Sequence, residues 1–215
     1  MRNKLSLKDT VYNAVMEDIF SLEYLPGQVL TEKEIIEKYN YSKSPVREAL
    51  QTLCTEKVLR SIPRYGYEVV RLTMEDVQER LEFRYLLEGG IIKSRYQQLS
   101  PMKLECLEKI NEKCDEKNDD VWVHWSNNLE FHLKLVSFCG NHYAAEELQQ
   151  CMNELRRGYA QLCWGKWGQG FYPPFDTRNH TPILECLRKK DIEGVLSSLK
   201  DDLNDFAGIG VKLDL

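Results

Sequence analysis

Apolar positions recur along this chain in two grammars, one short and sharply punctuated, the other long and nearly unbroken. In the first, Val11, Val15, Ile19 and Leu22 fall at helical spacing over residues 8–22, and Leu25-Pro26-Gly27 halts the run because neither Pro nor Gly continues a helix cheaply. Thr31 followed by Glu34 makes a capping box for a helix over 32–39, with Ile35, Ile36 and Tyr39 inward and Asn40 as a left-handed end. Ser44 reads as the N-cap of a third helix with Pro45 at its first position. There Val46, Ala49, Leu50, Leu53 and Cys54 form an apolar stripe, while Lys43, Arg47, Glu48 and Gln51 lie away from it. Two β-rich runs follow, VLRSI and YEVVRL, joined by the basic turn Pro63-Arg64-Tyr65-Gly66. The order is helix, helix, helix, hairpin.

From Thr73 the pattern changes to long helices. Thr73 and Asp76 open one reaching about residue 98, with Val77, Leu81, Arg84, Tyr85, Glu88 and Ile92 along one side. Further helices are predicted at 101–117, 119–139, 142–164, 178–189 and 191–208, interrupted mainly by GKWGQGFYPPF at 165–175, a bent connector. The fold class is therefore mainly α. A winged helix-turn-helix occupies 1–72, and an all-helical bundle occupies 73–215.

Composition sharpens this division. A hydrophobic content of 42% over 215 residues supports a real core. The net charge of -5 is uneven, with residues 1–72 at +1 and 73–215 at -6. Residues 42–71 carry six basic and three acidic side chains, a local excess that suits phosphate. No run of 18 uncharged apolar residues occurs, and the N-terminus lacks the apolar centre of a signal peptide, so a cytoplasmic protein is expected. The seven cysteines are scattered and never spaced C-x-x-C, and read as reduced packing thiols. Trp122, Trp125, Tyr159, Trp164 and Trp167 read as core or connector packing, and His142 as a surface residue. Nucleophile motifs and Gly-rich phosphate loops are absent, which argues against an enzyme, including a metal-dependent one.

The stretch LPGQVLTEKEIIEKYNYSKSPVREALQTLCTEKVLRSIPRYGYEVV resembles the N-terminal domain of GntR-family bacterial transcription regulators. The resemblance rests on Pro26-Gly27, Leu30, Glu34, the segment from Ser42 to Leu50, Leu53 and Gly66. It implies a homodimer that binds a near-palindromic double-stranded operator. It also implies DNA contacts by Lys33, Ser42, Lys43, Ser44 and Arg47, with Arg64, Tyr65 and Gly66 at a wing tip in the minor groove. Arg47, read as lying in the first turn where the helix dipole disfavours a cation, would meet phosphate or guanine O6 and N7 there. Lys43 stands where many relatives carry arginine, so the usual bidentate base contact is lost.

The second half resembles the FadR-type (FCD) effector-binding bundle, through ERLEFRYLLEGG, EFHLKLVSFCGN and RNHTPILECLRKKDIEGVLSSLKDD. Metal-binding bundles of this type pair an aspartate with three histidines. The resemblance puts Asn128 at the aspartate position, His132 and His180 at two histidines, and Asp202 at the third. This altered set suits a divalent metal, Zn²⁺, Ni²⁺ or Mn²⁺. The alternative is a metal-free polar pocket in which His132 meets the effector directly. Effectors of the subfamily are often small carboxylates, for which Arg84 is a candidate bidentate partner; a buried Arg84–Glu88 structural pair is the other reading. A bundle that serves only dimerisation is the remaining possibility.

Overall fold

The computed structural model describes residues 6–115, 121–167, 177–205 and 213, and the chain divides into two compact units, Met1–Thr73 with Ala160–Leu162, and Met74–Tyr159 with Cys163–Leu215. The first unit contains α1 (Leu7–Phe20), β1 (Val29–Leu30), α2 (Glu32–Tyr39), α3 (Lys43–Thr55), β2 (Leu59–Ile62) and β3 (Gly66–Val69). A capping box between Ser6 and Asp9 starts α1, and Leu22, left-handed at φ 60°, lies beyond its end. The expected Thr31/Glu34 box and the left-handed Asn40 bound α2. Val11, Val15, Ile19, Ile35, Val46, Ala49, Leu50 and Leu53 meet in one core, each buried. Removing the Val, Ile and Leu side chains among them from water contributes about 1.5–3 kcal/mol apiece.

Two sequence expectations are corrected here. The N-cap of α3 is Ser42, in extended backbone, so Ser44 and Pro45 are the second and third helical residues. Proline is tolerated there because the first-turn N–H groups have no partner within the helix. Arg47 consequently lies in the second turn, and Lys43 is the cation at the start.

The hairpin is also a three-stranded sheet, in the order β1, β3, β2, all antiparallel. The two-residue β1 carries too little periodicity to be read from sequence. It explains Gly66, whose φ is 140° and whose added Cβ would lie 2.2 Å from the Leu30 carbonyl oxygen. A side chain there would collide with the β1 backbone.

The second unit comprises α4 (Met74–Arg95), a 3₁₀ turn (Tyr96–Gln98), α5 (Pro101–Asp115), α6 (Val121–Phe138), α7 (His142–Trp167) apart from residues 160–162, α8 (Thr177–Lys189) and α9 (Ile192–Asn204). Helix α9 packs on α8 and α4, and α5 packs on α6 and α8. Val77, Leu81, Leu107, Phe131, Leu135, Leu148, Leu155, Ile183, Val195 and Leu199 are buried. The stretch read as a connector is helical up to Trp167; its remainder, with the side chains of Cys163, Trp164 and Trp167, lies outside the described residues. Trp125 packs on Tyr159 with ring centroids 5.3 Å apart, and His142 is exposed. No helix among the described residues is long and apolar enough to cross a membrane.

Candidate functional sites: a basic helix edge and a buried histidine pair

The apolar stripe of α3 faces the core, which leaves Ser42, Lys43, Ser44 and Arg47 exposed on its other side. Lys33 of α2, Arg64 and Tyr65 are exposed as well, and Tyr65 retains 73% of its accessible surface. Arg64 holds the turn before Gly66 with a left-handed φ of 70°. The edge is not purely cationic. Glu32, the first residue of α2, accepts from Arg47 Nε at 3.1 Å and lies 3.9 Å from Lys43 Nζ. Part of the negative charge that Arg47 calls for therefore lies within the chain itself.

The second unit buries an ionisable cluster, with Arg84 and Glu88 on α4, His132 on α6, His180 on α8 and Asp202 on α9. Arg84 Nε donates to Glu88 Oε1 at 2.6 Å, and the other Glu88 oxygen lies 2.7 Å from His132 Nδ1. His180 Nδ1 is 3.2 Å from Asn111 Oδ1, and Asn111 in turn donates to Thr181 Oγ1. The ring of His180 stacks on Phe131 at 3.9 Å. These outer partners fix both tautomers, because an acceptor at Nδ1 puts the proton there and leaves the Nε2 lone pair directed elsewhere.

The two Nε2 atoms lie 3.2 Å apart, and Asp202 Oδ2 is 3.2 Å from that of His132. Asp202 Oδ1 is 3.7 Å from His180 Nε2. With neutral rings, three acceptors face one another in a buried space, an arrangement that is repulsive unless a cation sits among them. Counting Arg84 as positive and Glu88 and Asp202 as negative, the cluster carries one uncompensated negative charge. Two of the spacings suit a metal as they stand, since bonds of about 2.1 Å put neighbouring donors roughly 3.0–3.4 Å apart in octahedral or tetrahedral geometry, and the 3.7 Å between Asp202 and His180 would need a small side-chain shift. The donor set of two imidazoles and a carboxylate thus fits a divalent ion.

Without metal, the surrounding carboxylates favour a proton there. Burial and Arg84 oppose charge on His132, but Glu88 and Asp202 outweigh them and raise its pKa. Burial also opposes ionisation of Glu88 and Asp202. Arg84 and His132 hold the Glu88 carboxyl below its usual range, and His132, His180 and Arg84 do the same for Asp202. Arg84 Nη2 is buried without a hydrogen bond, 3.8 Å from Asp202 Oδ2. The Arg84–Glu88 pair expected from sequence is present, yet it leaves one guanidinium nitrogen available to an anion. Asn128 precedes His132 by one turn of α6 and is half-buried.

Residues 7–69 match the family of bacterial regulatory proteins named gntR, and residues 79–205 match the FCD domain. The chain belongs to the GntR family, in its FCD branch. It is 28% identical over 188 residues to the gluconate operon transcriptional repressor of Bacillus subtilis (strain 168), covering 83% of this chain and 74% of the relative. It is also 28% identical over 148 residues to the helix-turn-helix transcriptional regulator YdhC of the same strain, a match spanning 67% of this chain and 65% of the relative. The fold resembles that of E. coli McbR/YncC, with a TM-score of 0.73 at 23% identity over 94% of this chain and 95% of that one. The two Bacillus subtilis relatives are transcription regulators, not enzymes.

Three residues of this GntR regulator's sites escape a reading by letters alone. Glu88 appears in sequence only as a partner of Arg84, and its second oxygen orients His132. Asn111 has no spacing relation to His180, 69 residues away. Glu32 reads as an ordinary acid in a helix's first turn.

Proposed function

We propose that the chain is a ligand-responsive transcription regulator, repressor in type, that binds a near-palindromic operator as a homodimer. Residues 1–72 form the DNA-binding domain, and 73–215 form the sensing and dimerisation domain. Lys33, Ser42, Lys43, Ser44 and Arg47 meet the major groove, and Arg64, Tyr65 and Gly66 bring the wing to the minor groove. Dimerisation finds support in the outer face of α4, where Phe83 and Leu86 remain 44% and 63% exposed and a Cβ on Gly90 would meet nothing within 4 Å.

In the bundle, His132, His180 and Asp202 hold a divalent metal, Zn²⁺, Ni²⁺ or Mn²⁺, with Asn128 as a neighbouring oxygen donor. Bound there, the metal would supply a Lewis-acidic centre for an oxygen ligand. Arg84 offers Nη2 to the carboxylate of a small organic acid. The observation that carries this reading is the convergence of two Nε2 lone pairs and one carboxylate in a buried, net negative cluster. A sugar acid is the first effector class to test, given a relative named for a gluconate operon.

The test is operator affinity of the full-length metal-loaded protein across a panel of organic acids, using a duplex that it selects from a randomised pool. One acid should shift the affinity by about 5–150-fold, the usual range of coupling, and the shift should vanish in His132→Ala. No shift across sugar and dicarboxylic acids would favour a bundle used only for dimerisation.

A further inference from the structure

Glu32 is an acid set among basic side chains. It is the first residue of α2, only 23% of its side chain is exposed, and it sits among groups that face DNA in the reading above. Its Oε1 accepts from Arg47 Nε at 3.1 Å and from Tyr67 Oη at 3.3 Å, and its Oε2 lies 3.9 Å from Lys43 Nζ. Tyr67 belongs to β3 and pairs with Leu30 and Ser61. One carboxylate therefore ties α2, the DNA-facing edge of α3, and the wing sheet.

This arrangement does little for stability. Arg47 is 57% exposed, and exposed ion pairs contribute little to folding. The carboxylate also repels the phosphates that the surrounding cations attract, so it opposes binding to DNA in general. What it does provide is orientation. A guanidinium held at Nε keeps its two terminal nitrogens together as a planar pair of donors, the shape that matches guanine O6 and N7. A side chain already held in place gives up less rotamer entropy on binding.

We propose that Glu32 is a specificity-determining positioning residue. It fixes the Arg47 fork against the wing for base readout, while its negative charge lowers affinity for DNA of any sequence, so that the oriented base contact decides which duplex is held. The inference rests on the reading that α3 meets a major groove.

The test uses the full-length protein, a duplex that the wild type selects from a randomised pool, and a scrambled duplex of the same length at the same salt. Kd is measured for the wild type, Glu32→Gln, Glu32→Ala, Arg47→Ala and the double variant Glu32→Ala/Arg47→Ala. Glu32→Ala should weaken the selected duplex and tighten the scrambled one, lowering their ratio by roughly tenfold or more, as expected for loss of a bidentate base contact. Glu32→Gln keeps an oxygen for Arg47 Nε and Tyr67 Oη, folds as an isostere, and should keep most of the discrimination. The double variant should discriminate no worse than Arg47→Ala alone. A common factor on both duplexes in Glu32→Ala and Glu32→Gln would mean that only charge matters, and would overturn the inference. So would a double variant in which the two losses multiply. A wild type that selects no duplex would instead overturn the DNA reading itself.

Discussion

His132 illustrates how one buried side chain links proton, fold and the proposed metal. Its Nδ1 is committed to Glu88, so its Nε2 must share the space with His180 and Asp202, and that space requires positive charge. In the metal-free protein the proton supplies it, and the sign of the linkage follows. Because the folded-state pKa of His132 is raised above 6.5, its contribution is fully present below pH 6.5 and is lost as pH rises through the raised value. Glu88 and Asp202 are shifted the other way. Their contributions are present above 4.5 and 3.8, and are lost as pH falls through the depressed folded values. Thermal unfolding of metal-free protein should therefore show its highest Tm between pH 4.5 and 6.5. Added Zn²⁺ should abolish the decline on the alkaline side, because metal binding needs the neutral ring. A metal-free Tm that rises steadily from pH 6 to 9 would contradict the assignment of His132.

Among the elements, the wing depends most on a single backbone position. Gly66 combines a φ open to glycine with a Leu30 carbonyl too close for any side chain. Gly66→Ala should destabilise the first unit by about 1–3 kcal/mol, through strain and displacement of β1. Denaturant unfolding followed by tyrosine fluorescence measures this, and an unchanged midpoint would argue that β1 yields freely. The helices were legible in sequence because apolar spacing and caps speak locally: Thr31 with Glu34 and the left-handed Asn40 bound α2 where expected. The start of α3 was not, since both Ser42 and Ser44 precede the apolar stripe and Pro45 is acceptable at either first-turn position. Strand β1 was not legible either, because two residues become a strand only through pairing with β3. Resemblance singles out His132, His180 and Asp202, which the fold brings together, yet not Asn111, since no local pattern connects positions on different helices.

For the whole molecule, the uneven charge has a structural counterpart. The exposed cations of α2, α3 and the wing lie in the first unit, while the second buries Glu88 and Asp202 beside its histidine pair and leaves apolar residues exposed on α4. The homodimer proposed above would form through that α4 face. Sedimentation should find a dimer that Leu86→Glu converts to monomer at the same protein concentration, because a charge in the centre of an apolar contact carries a large desolvation penalty. A Leu86→Glu protein that stays dimeric would place the contact elsewhere.

The most direct test is calorimetric titration of metal-free full-length protein with Zn²⁺, Ni²⁺ and Mn²⁺, in parallel for wild type, His180→Ala and Asp202→Ala. The account predicts uptake of one ion per chain by the wild type for at least one of these metals, with proton release, and its loss in both variants. No uptake by the wild type, or the same isotherm in all three proteins, would contradict it.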